Sequence, residues 1–166
     1  MRVPIRKPGK YTHLKPDLHL TEEKFRELKD KLEKLKKFSR PQAAVEMHRL
    51  AEMGDLSENA AYQIAKGHLR GINDKISKLE FILSGAKIIK PNKNAEIIQL
   101  GSRVTIEIGD KQKTYLILGS SETNPQKGII SHNSPLGSAL MGHKTGDKIK
   151  IRSKEKEVEC MIIKIE

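Results

Sequence analysis

Apolar residues recur along the first half of the chain at spacings of three and four. Phe25, Leu28, Leu32 and Leu35 form one series, and Ala65, Leu69, Ile72, Ile76, Leu79 and Leu83 form a second. Such spacing is the seam of a coiled coil, one apolar face on an otherwise charged helix. The first helix is predicted to begin at Thr21, a good N-cap. Glu22 and Glu23 follow it at the positive end of the helix dipole, and Leu20 and Phe25 are placed for a hydrophobic staple. Pro41 interrupts the series and predicts a kink, or a fresh helix with Arg40 before it. Ala44, Val45, Met47, Leu50 and Ala51 then carry the apolar side to Gly54. The second helix is predicted to start near Asp55 and to stop at Ser84-Gly85. A short turn between two such helices makes them antiparallel neighbours, a rod roughly 45 Å long with about 30 residues in each arm.

Beyond residue 100 the period changes to two. Val104, Ile106 and Ile108 alternate with polar residues, and Gly109-Asp110 offers a turn. Tyr115 to Leu118, Gly128 to Ile130, Ile149 to Ile151 and Val158 to Ile165 are further strand candidates. Ser134-Pro135 reads as an N-cap with proline at the first helical position, and Gly142 closes that short helix. The expected class is α+β, a helical hairpin followed by a small antiparallel sheet with one short helix. The expected division is a basic flexible arm at 1–20, the hairpin at 21–90, a linker at 91–100 and the sheet domain at 101–166.

Charge sharpens this picture. The net charge is +11 and the pI about 9.7, which favours an anionic partner such as nucleic acid. Residues 41–60 hold one Arg against four acids, and this net-acidic stretch surrounds the expected hairpin tip. One cysteine, Cys160, sits in an apolar run, so no intramolecular disulfide is possible and a reducing cytoplasm is expected. No apolar run is long enough to span a membrane. Glycine-rich phosphate loops, GxSxG and CxxC are absent, which argues against an independent metabolic enzyme.

The candidate chemistry lies in Gly54-Asp55-Leu56-Ser57-Glu58-Asn59-Ala60. Asp55 and Glu58 are three apart, so on a helix they share a face. Two carboxylates on one face suit a hard cation such as Mg²⁺ and can orient a water. The same spacing is that of a capping box, Asp55 as N-cap and Glu58 at N3. Both readings stand at this point, and Asn59 is either a further ligand or a polar tip residue. Lys66 and Arg70, four apart, can touch nucleic-acid phosphates or form an ordinary solvated flank. Tyr62 can stack on a base or pack against Met53 or Leu56. His48 and His68 can approach each other across the hairpin, without further ligands for a zinc site.

The tip segment through Ala61-Tyr62, together with Lys78-Leu79-Glu80, Ala86-Lys87-Ile88-Ile89, Ile130-Ser131-His132-Asn133-Ser134-Pro135-Leu136-Gly137 and Thr145-Gly146-Asp147, resembles the bacterial Gre transcript-cleavage factors, GreA and GreB. The resemblance covers roughly residues 20–166. It implies a coiled coil that enters the secondary channel of bacterial RNA polymerase and a C-terminal FKBP-like domain that docks at the rim through Ser134, Pro135, Leu136 and Gly137. Asp55 and Glu58 match the family's functional acids. They would hold a Mg²⁺ jointly with the polymerase and promote hydrolysis of the backtracked nascent RNA 3′ end, near Lys66, Arg70 and Tyr62. The protein would be a cytoplasmic monomer that stimulates the polymerase's own nuclease rather than an enzyme, with no cofactor bound independently and no membrane partner. Ala61 stands where the family usually has an acid, which leaves open a channel-binding regulator that inhibits without cleavage. A basic coiled-coil RNA-binding protein explains the charge but not the tip or the sheet domain.

Overall fold

The computed structural model describes residues 17–53, 59–92, 96–109, 111–153 and 156–166. Helix α1 (Glu22–Lys34) starts where its sequence says it should. Thr21 is extended, and its hydroxyl accepts the Lys24 N–H at 3.2 Å. The helix then passes through a π turn at Leu35–Ser39 into α2 (Arg40–Ala51). The Arg40 N–H reaches the Leu35 carbonyl, five residues back. Pro41 has no N–H, and its ring would press on the carbonyl one α-turn earlier. Widening the turn just before it relieves that clash, so the arm continues where sequence reasoning allowed a restart.

The return arm is α3 (Ala60–Ser84). It begins later than the expected start near Asp55, and Asn59 is its cap. Ile72 and Ile76 pack with Ala43 in the hairpin's buried seam, flanked by Leu32, Leu35 and Leu69. The seam is therefore the predicted 3–4 stripe, narrowed to alanine where α2 faces α3. Lys36 reaches Glu80 across the arms at 2.5 Å, an exposed pair that adds little beside the apolar contact.

At the open end of the rod, β1 (His19–Leu20) runs parallel to β2 (Lys87–Ile88). Leu20 is fully buried there, worth roughly 2 kcal/mol of apolar transfer. Asp17–Leu20, assigned by sequence to a flexible arm, thus form part of the hairpin's base. Residues 1–16 lie outside the described residues.

The second unit is a five-stranded sheet of β3 (Arg103–Ile108), β4 (Lys111–Leu118), β5 (Ile129–Ser131), β6 (Lys148–Ser153) and β7 (Lys156–Ile165), in the order β5-β4-β3-β7-β6. The α+β class is as expected, but the sheet is mixed, because β5 runs parallel to β4 while the other pairs are antiparallel. A bulge falls between Thr105 and Ile106. Val104, Ile106, Ile117 and Ile162 point into one core with Leu140 of α4 (Pro135–Leu140) and Cys160, whose thiol burial pushes up. Ile98 joins this core at 2 % exposure, and its N–H bonds the His143 carbonyl. The stretch read as a linker therefore enters the sheet domain before residue 100. Among the described residues, no helix is long and apolar enough to cross a membrane.

The two units are joined by a reciprocal exchange of carboxylates. Glu122, from the turn after β4, accepts the Thr21 N–H at 2.7 Å and the Thr21 hydroxyl at 2.6 Å, at the positive end of α1. In the other direction, Asp17 accepts the Ser120 N–H at 2.6 Å. The backbones nearly touch between these contacts. A Cβ on Gly119 would lie 2.1 Å from the His19 carbonyl oxygen, so only glycine fits. Replacing Glu122 with Ala should cost about 1–3 kcal/mol in chemical denaturation and speed amide exchange at Thr21. Native exchange at Thr21 in that variant would show that the contact does not protect the helix start.

Candidate functional site

Among the described residues, Asn59 ties the two arms together at the far end of the rod. Asn59 is extended, its Oδ1 accepts the Tyr62 N–H at 3.0 Å, and its Nδ2 donates to the Leu50 carbonyl at 3.0 Å. One amide thus caps α3 and adds a second bond to the Leu50 carbonyl, which also accepts the Met53 N–H at 3.4 Å. Its polar atoms are committed to the fold, so Asn59 is a cap, a role distinct from the further ligand or polar tip residue that sequence left open. The capping-box reading, with Asp55 as N-cap, does not describe α3, because the cap is Asn59 and the helix begins after both acids. Gly54–Glu58, with Asp55 and Glu58, lie outside the described residues.

Tyr62 occupies the first turn of α3 and is half-buried. The Lys66 ammonium lies 6.0 Å from its ring centroid, at the outer limit of a cation–π contact. Lys66 and Arg70 are both exposed and share a face of α3, flanking half-buried Leu69. On the facing arm, Arg49 pairs with Glu46 at 2.8 Å and His48 lies 3.4 Å from Glu52. His48 thus has a carboxylate partner on its own helix. Lys66 and Arg70 therefore offer cationic groups to solvent close to the clamp, whereas Arg49 is engaged locally.

Ser134, Pro135, Leu136 and Gly137 form the start of α4. The Ser134 hydroxyl accepts the Gly137 N–H at 2.9 Å and donates to the Ser131 carbonyl at 2.7 Å. Gly137 is buried, and a Cβ there would lie 2.0 Å from the Ser131 oxygen. Leu136 packs against the sheet core, which leaves Pro135 as the exposed member of the four. The loop is also wired to the rod. Ser131 Oγ is 2.9 Å from Ser120 Oγ, and Ser120 is held by Asp17.

Asp17, His19 and His132 meet at this joint, a grouping sequence reasoning missed. Partial burial pushes the Asp17 carboxyl up. The Ser120 N–H, the His19 ring and the His19 N–H together outweigh it and hold the group at about 2. The local Asp17-Leu18-His19 spacing was the available signal, but His132 is more than a hundred residues away.

Residues 18–88 match the family described as transcription elongation factor, N-terminal, and residues 92–166 match the family described as transcription elongation factor, GreA/GreB, C-terminal. The transcription elongation factor GreA of Nautilia profundicola is 38% identical over 135 residues, covering 80% of this chain and 83% of that protein. The chain belongs to the GreA/GreB family of transcription elongation factors. GreA of Thermomicrobium roseum, another family member, is 34% identical over 149 residues, covering 89% of this chain and 96% of that protein. The GreA factor homolog Gfh1 of Thermus thermophilus, a solved structure, is 28% identical, covers 89% of this chain and 97% of that chain, and aligns with a TM-score of 0.41.

Changes at Asn59 should separate its two bonds in this Gre-family hairpin. Asn59→Ala, which removes both, should cost about 1–2 kcal/mol. Asn59→Asp keeps the acceptor for Tyr62 and should cost less. Equal losses in thermal or chemical unfolding would place all of the effect in the Leu50 bond.

Proposed function

We propose that the chain acts in trans on bacterial RNA polymerase, with the rod in the secondary channel and the α4 loop at the rim, and that it promotes hydrolysis of backtracked RNA. The observation that carries this reading is the match of both halves of the chain, in order, to an elongation-factor family, combined with a rod whose tip segment carries two acids. Asp55 and Glu58 are hard oxygen donors, a set that fits Mg²⁺ and is too small to hold it alone. They would complete a site whose other ligands belong to the polymerase. When bound, the ion supplies charge neutralisation and a more acidic water. The chain's own part is to deliver the two carboxylates, orient the attacking water, and keep the tip from splaying through the Asn59 clamp. Lys66 and Arg70 would meet the phosphates of the extruded RNA, a contact that is blind to sequence and weakens with salt. Tyr62, with one face toward Lys66, would stack on a base.

A second reading rests on Ala61, which is exposed in the first turn of α3, a turn without an acid. With less negative charge there, the rod would occupy the channel and slow synthesis without cleavage.

One assay separates the two. Backtracked complexes mixed with the protein and Mg²⁺ should release short RNA 3′ fragments. Asp55→Asn and Glu58→Gln should each lower that rate about a hundredfold or more while polymerase binding is retained. Slowed elongation with no fragments would support the blocking reading. Fragment release at the native rate by both variants would remove the acids from the chemistry.

A further inference from the structure

We infer that Asp17, His19 and His132 form a binding site for a divalent transition metal of the zinc type at the joint between the rod and the sheet domain. One donor atom from each side chain lies within 4.8 Å of the other two. The His19 Nδ1 is 2.8 Å from Asp17 Oδ1, and the His132 Nδ1 is 3.5 Å from Asp17 Oδ2. Donors around a tetrahedral zinc ion sit roughly 3.4 Å apart, given bonds of about 2.0–2.2 Å. Small side-chain rotations therefore bring the three donors to one centre.

The donor set selects the ion. Two imidazoles and one carboxylate suit zinc, cobalt or nickel, whereas magnesium and calcium take oxygen ligands. Three protein ligands leave a fourth position for water. The carboxylate is also held from behind, because Asp17 Oδ2 accepts the Ser120 N–H at 2.6 Å. Such outer contacts fix the orientation of metal ligands. The two rings meet edge to face, with centroids 5.6 Å apart. Access is from the His19 side, whose side chain is 35 % exposed against 7 % for Asp17.

The site also has a physical consequence. Asp17 and His19 belong to the base of the rod, and His132 follows β5 in the sheet domain. A bound ion would staple the two units across the carboxylate exchange that already joins them. This inference is independent of any role for Asp55 and Glu58.

The test uses the full chain, stripped with chelator and titrated with Zn²⁺ by calorimetry. The native chain should take one ion with a dissociation constant on the order of micromolar or tighter. His132→Ala and His19→Gln should each weaken binding at least tenfold. His143→Ala, at a surface histidine paired with Asp147, should leave it unchanged. Circular dichroism confirms that each variant is folded, and Co²⁺ loading of the native chain gives a second readout through its visible absorption. Failure of the native chain to bind either ion overturns the proposal, as does native-like binding by both His variants.

Discussion

Two carboxylates crossing the same joint in opposite directions set the geometry of this protein. Glu122 reaches from the sheet domain to the first turn of α1, and Asp17 reaches from the base of the rod to the Ser120 N–H. Each accepts a backbone N–H of the other unit, and Gly119 lets the two backbones come close enough for both bonds to form. A charged acceptor facing backbone N–H groups is among the stronger single hydrogen bonds a protein makes. The same joint carries the edge-to-face contact of the His19 and His132 rings and the close approach of Ile89 to Gly101.

For the proposed function that joint matters, because a small rotation at the base of a rod becomes a large displacement at its far end. The same bond network runs from Asp17 through Ser120 and Ser131 to the Ser134 cap of α4. The start of α4 and the base of the rod therefore belong to one hydrogen-bonded unit. At the opposite end, Asn59 ties α2 to α3, and the two arms cannot separate there without losing that amide's bonds.

Local features of this architecture were legible in the sequence, and long-range ones were not. The Ile72–Ile76 seam follows from helical periodicity, and the Thr21 cap follows from a hydroxyl before two acids. The alternation of Val104 and Ile106 likewise gave β3. The π turn before Pro41 escaped because a missing N–H says that the ladder must change, not how. Asp55 and Asn59 are both good caps, and only the register of α3 against Leu50 decides for Asn59. The direction of β5 depends on a connection through two short 3-10 turns that no period reveals. The Asp17 contacts bridge about a hundred residues, and residues 17–20 look like the end of a basic tail until their partners are seen. Of the candidate site, Tyr62, Lys66 and Arg70 share the first turns of α3 as the sequence suggests, while Asp55 and Glu58 lie outside the described residues.

The claim that the joint fixes the rod is tested most directly by a distance measurement between the two units. Spin labels at exposed Gln42 on the rod and exposed Lys113 on β4, each introduced as cysteine, leave buried Cys160 unlabelled. Pulsed dipolar spectroscopy on the chain with native Asp17 and Glu122 should give one narrow distance distribution, and the same labels with both acids changed to Ala should give a broad one. A broad distribution with the native acids, or an unchanged narrow one after both are removed, would contradict the account.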